Sequence, residues 1–100
     1  DAGGARGIWT QEEVFGFWNV KIKEGTYNIR FKFIQPLKTA GTMFLETNSL
    51  IYRQDVRDVP TDVIEMKNVS FSAMKCELIP FYSAGGRNIF PLWVELEKVQ

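Results

Sequence analysis

One hundred residues with 45% hydrophobic composition are enough for one core and too few for two, since a domain of this size buries roughly two-thirds of its unfolded surface. Twelve Lys plus Arg balance twelve Asp plus Glu, so no net field draws the chain to nucleic acid or to an anionic membrane, and no basic cluster interleaves with aromatics. The sequence has no histidine and one cysteine, which removes the commonest general base, the commonest metal ligand, every Ser-His or Cys-His pairing and any internal disulfide.

Residues 1–7 are Gly-rich and aperiodic and read as a linker or an excised end, with residues 8–100 as a single domain. No n-region or h-region opens the chain, so an exported protein would already have lost its signal, and no apolar run approaches the roughly 20 residues of a membrane span. A first strand is expected over Ile8 to Val14. From Phe17 to Phe33 the alternation is strict: Trp18, Val20 and Ile22 share one side, as do Tyr27, Ile29, Phe31 and Phe33. A turn at Glu24-Gly25 predicts a hairpin that pairs Ile22 with Tyr27, Val20 with Ile29 and Trp18 with Phe31, leaving Lys21, Asn28 and Arg30 on a solvated face. Residues 35–41 read as a loop punctuated by Pro36 and Gly41, and two short strands follow, Thr42 to Thr47 and Leu50 to Asp55, joined at Asn48-Ser49. Val56 to Asp62, with Pro60, reads as an exposed connection.

Val63 to Phe71 alternates with a change of phase near Asn68, which predicts a bulge. Met74 to Tyr82 follows a corner at Ser72-Ala73, Ser83 to Asn88 is a Gly-rich loop, and Phe90 to Val99 closes the chain with Leu92, Val94 and Leu96 on one side. About eight strands and no helical period predict an all-β fold, an antiparallel β-sandwich of galactose-binding-like or jelly-roll-like type, with a closed barrel as the alternative. Pro80 and Pro91 predict that at least one of the last two strands is an edge or carries a bulge.

Chemistry-bearing residues are few. Cys76 shares the phase of Met74 and Leu78 and is expected in the core. Asp55, Asp58 and Asp62 form an acidic set whose spacing does not match an EF-type calcium loop, and no metal site is assigned; Glu12, Glu13, Glu46 and Glu95 form no acid and base pair that spacing identifies. Asn68-Val69-Ser70 matches the N-glycosylation pattern inside an expected strand. Trp93 is out of phase with Leu92, Val94 and Leu96 and is expected to face away from the core. With Tyr82, and with Arg87 as an anion contact, it makes the candidate substrate or interface surface, while Trp9, Trp18 and Tyr27 are the expected structural anchors.

The run Trp9-Thr10-Gln11, then Val14, Gly16, Trp18, Val20, Ile22, Gly25, Tyr27 and Ile29 resembles the opening W-x-Q and G-x-W-x-V-x-V-x-x-x-G-x-Y-x-I stretches of the small C-terminal domain of the arylsulfatase family. The stretch from Val69 through Leu78 to Trp93-Val94-Glu95 looks more loosely like that domain's last strands. The resemblance implies a non-catalytic accessory β-sandwich that packs on the sulfatase catalytic domain of the same polypeptide, in a periplasmic or extracellular enzyme. A carbohydrate is a second implied contact. Calcium and formylglycine are implied only for the catalytic domain, because the C/S-x-P/A-x-R motif is missing here: Cys76 has the wrong spacing, and Ser83 to Arg87 has Gly85 where Pro or Ala is expected. Arg30-Phe31-Lys32-Phe33 stands where that family often has paired arginines and Trp-Pro. The rival expectation is a free-standing carbohydrate-binding module using Trp93, Tyr82 and Arg87.

Overall fold

A computed structural model describes residues 6–10 and 18–99. They form nine strands: β1 (Arg6–Thr10), β2 (Trp18–Ile22), β3 (Gly25–Leu37), β4 (Gly41–Glu46), β5 (Ile51–Val56), β6 (Thr61–Phe71), β7 (Met74–Ala84), β8 (Arg87–Ile89) and β9 (Trp93–Lys98). Sheet I has the order β1-β9-β3-β6, and sheet II the order β2-β7-β4-β5 with β8 also on β7. All pairings are antiparallel, so the fold is the all-β sandwich that the alternation predicts. No helix among the described residues is long and apolar enough to cross a membrane.

The interior is made of the side chains that the period-2 pattern points inward. Val20 and Ile22 from β2, Tyr27, Ile29, Phe31 and Phe33 from β3, Met43 and Leu45 from β4, Cys76 and Leu78 from β7, and Val94 and Leu96 from β9 are all buried. Each large one contributes about 1.5–3 kcal/mol by leaving water. Tyr27 fits its expected role as an anchor, since its ring meets Phe71 edge-on and its hydroxyl donates to the Lys23 carbonyl at 2.7 Å.

The expected hairpin between β2 and β3 does not form. Ile22 is paired with Met74 and Val20 with Cys76 in sheet II, whereas Tyr27 and Ile29 are paired with β6 and β9 in sheet I. The chain at Lys23-Glu24 carries β2 across to the other layer. Apolar side chains that seemed to meet across a rung meet across the interior, a contact the same alternation permits.

Other boundaries shift for local reasons. Arg6 and Gly7, read as linker, pair with Glu97 and Leu96, while residues 11–14 of the expected first strand lie outside the described residues. Residues 35–37 extend β3 and Leu37 is buried, so the loop shrinks to 38–40; likewise Val56 is buried and Thr61 and Asp62 open β6. The turn at Asn48-Ser49 forms as expected, closed by Thr47, whose hydroxyl accepts from the Leu50 N–H at 3.0 Å. Neither β7 nor β9 is an edge strand: Pro91 precedes β9, and Pro80 lies inside β7 opposite Leu45 of β4, between the described pairings of β7 with β2 and with β8.

The bulge near Asn68 is present. Tyr27 faces Val69 and Ile29 faces Met66, so Lys67 and Asn68 stand opposite Asn28 alone. Asn68 adopts φ 57°, and its N–H donates to the Asn28 side-chain oxygen at 3.1 Å. On the opposite layer Gly41 is required by proximity, because a Cβ there would collide with the Ser83 carbonyl oxygen and the Tyr82 ring. Along one long side the edge strands of the two sheets are stitched together: Tyr52 of β5 donates from its hydroxyl to the Ser70 carbonyl of β6 at 3.1 Å, and the Gln54 amide donates to the Glu65 carbonyl at 2.9 Å.

Candidate functional site

At one end of the sandwich the layers part around β3. Pairing with β9 stops at Lys32 opposite Trp93, with the Leu92 N–H bonded to the Lys32 carbonyl at 2.6 Å. Pairing with β6 jumps from Lys32 opposite Val63 to Leu37 opposite Thr61, so among the described residues none is in register with residues 33–36. Pro36, which has no N–H to give, lies in this run.

The other wall is the β7–β8 hairpin, which turns at Gly85 (φ 58°) and Gly86 (φ 75°). Two successive positive φ angles are what a two-residue hairpin turn of the favoured hand needs, and glycine adopts them without a Cβ penalty. Tyr82 stands opposite Ile89 and Ala84 opposite Arg87, so all four share the face that Tyr82 presents to the core. Between the walls lies a cleft of about 600 Å³. Its floor is Phe33 and Tyr82, edge to face with ring centroids 6.2 Å apart. Its rim carries two exposed apolar side chains, Ile34 (68% accessible) and Phe90 (39%), and two cations, Lys38 and Arg87; among the described residues no carboxylate lines it.

This geometry separates the three residues expected to form one contact surface. Arg87 is exposed on the rim, but Tyr82 is 1% accessible, with its hydroxyl donating to the Thr39 carbonyl at 2.5 Å, so its ring offers no open face. Burial also pushes its phenol above the usual tyrosine value. Trp93 is half-buried and lies outside the cleft, between Lys32 of β3 and Thr10 of β1 and in the row of Glu95 and Glu97 on the outer side of sheet I. The backbones of Trp9 and Trp18 stand at register positions opposite Val94 and Leu78; their side chains lie outside the described residues.

The outer face of sheet I, expected to be simply solvated, holds a charge cluster. The Arg30 guanidinium contacts Glu65 at 3.1 Å, Glu95 at 2.7 Å and Glu97 at 2.9 Å, and Glu95 is only 3% accessible. Hydrogen bonds to Glu97 and Glu95 raise the affinity of Arg30 for its proton. Cross-strand placement assembles this set from three strands, and no spacing along the sequence reveals it. Beside it Lys32 pairs with Asp62, whose carboxyl is held below its ordinary range chiefly by that hydrogen bond.

The remaining candidates stay apart. Cys76 is buried, and burial pushes its thiol up, which is the setting of an inert packing residue. Asp55 accepts a long hydrogen bond from Thr42, and among the described residues no three His, Cys, Asp or Glu side chains converge as a metal site. Glu46 and Glu95 belong to different sheets, and Glu12 and Glu13 lie outside the described residues. Asn68 is exposed at the bulge. No family model, curated protein or solved structure matches this chain.

Proposed function

We propose that this chain is a non-catalytic accessory β-sandwich of an arylsulfatase-type sulfuric ester hydrolase, packing on the catalytic domain of the same polypeptide. The resemblance of Trp9 through Ile29 to that family's C-terminal domain supports the enzyme class. The observation that carries the accessory role is the cleft: Ile34 and Phe90 both expose apolar surface at its rim, two of the six large apolar side chains exposed among the described residues and the two that line a concavity of this size. Exposed apolar surface gathered around a concavity is a feature of contact surfaces. The burial of Tyr82 and the separation of Trp93 from Arg87 weigh against the rival carbohydrate-binding surface built from those three residues.

The reading frame that precedes Asp1 tests the proposal. A catalytic region bearing C/S-x-P/A-x-R is expected there, and a complete frame without it would overturn the sulfatase assignment. Titration of the chain with sulfated and neutral oligosaccharides, followed by Trp fluorescence, tests the rival, for which a saturable change at Trp93 is required.

A further inference from the structure

Three features converge on the cleft from independent causes. Among the described residues none is in register with the backbone of residues 33–36, and β8 is paired on one side only, to β7. Side chains on both walls are apolar, with Phe33 buried in the floor, Ile89 half-buried, and Ile34 and Phe90 exposed at the margin. In a chain whose charges cancel overall, the described residues that line the cleft include two cations and no anion.

We infer that this cleft, proposed above as the contact with the catalytic domain, receives from what packs on it an extended acidic segment, with apolar side chains on one side of the segment and carboxylates on the other. An extended chain meets all three features together. Its N–H and C=O groups pair with strand backbone that has an open side, its alternate side chains meet the apolar surface of Ile89, Ile34 and Phe90, and the intervening carboxylates reach Lys38 and Arg87. A basic segment would bring like charges together at the rim, and a compact polar ligand would leave the apolar walls and the strand backbone without counterparts. The inference needs only the cleft: it would survive loss of the sulfatase assignment, and its failure would leave that assignment standing.

The test is an NMR titration of the isotopically labelled 100-residue chain with two blocked hexapeptides, one alternating Glu and Val, the other alternating Lys and Val. Saturable amide shifts confined to residues 33–39 and 84–90 are expected with the acidic peptide, with affinity at least about tenfold weaker for the basic one and falling with added salt. The exposed pair of reversals Lys38→Glu and Arg87→Glu should leave the spectrum of the core unchanged and weaken acidic-peptide binding by about tenfold or more. Absence of saturable shifts, equal binding of the two peptides, shifts mapping to the outer face of sheet I, or response at the cleft to a sulfated oligosaccharide but not to the acidic peptide would each overturn the inference.

Discussion

Strand β3 contains two regions of opposite character joined at Lys32. From Tyr27 to Lys32 it is flanked by β6 and β9, and every second side chain is fully buried. Past Lys32 the pairing with β9 ends and the pairing with β6 skips to Leu37, and three successive residues, Ile34, Gln35 and Pro36, are exposed before Leu37 turns inward again. The first region has its backbone and side chains satisfied within the molecule; the second has surface left over. In this protein, stability and the capacity for contact are therefore separable along one strand.

The comparison can be broken most directly at its buried half. Phe31→Ala, at the centre of sheet I with no accessible surface, should lower unfolding free energy by about 3–5 kcal/mol in a urea titration. A loss under about 1 kcal/mol would show that the two regions do not differ as described. Arg30→Met leaves Glu95 nearly inaccessible without its cation and should cost about 1–3 kcal/mol, less than a fully enclosed pair because Arg30 is itself about a third exposed. Adding Glu95→Gln should recover part of that loss, and no recovery would remove charge as the cause. At the bulge, Asn68→Ala should cost about 1–2 kcal/mol because alanine resists a positive φ, whereas Asn68→Gly should cost little or nothing.

Two smaller effects sharpen the boundary itself. Ile34→Ser, only two residues past Lys32, should change stability by no more than about 0.5 kcal/mol, and a larger loss would mean that the unpaired region helps hold the core. The Lys32–Asp62 pair sits where the register between β3 and β6 shifts. Because the folded state holds the Asp62 carboxyl below its ordinary value near about 4, the stability it adds is present at neutral pH and fades as pH falls through that lowered value. Thermal melts of the wild type and Asp62→Asn should therefore differ slightly at pH 7 and converge in acid; a gap that widened in acid would reverse the assigned sign.

Much of the layering is legible in the sequence, because burial on a strand follows a period of two. The alternation at Val20 and Ile22, at Tyr27 to Phe33 and at Val94 and Leu96 marks inward faces correctly, and the change of phase at Asn68 marks the bulge. Partner choice is not legible by the same signal: a row of apolar side chains fits a neighbour in its own sheet as well as a facing row in the other, and so β2 looks like the hairpin mate of β3 while pairing with β7. The site shows the same division. Arg87 could be placed on a glycine turn and does reach the rim, but Tyr82 reads as a surface aromatic only until Thr39 and Phe33 are brought against it by the fold. Pro36 marks a break in the sequence, but nothing at Phe33 or Ile34 announces that pairing with β9 ends at Lys32 and that pairing with β6 skips to Leu37.

The stitching of β5 to β6 by Tyr52 and Gln54 has a consequence for self-association. Open strand margins invite templated stacking of one copy upon another, and proteins suppress it by occupying or covering them. Here carbonyls of the Ser70 and Glu65 peptides are already engaged by donors from the facing layer, so that flank is a poor seed for fibre growth. A variant lacking both donors, Tyr52→Phe with Gln54→Ala, would make that flank newly adhesive while leaving the interior packing in place.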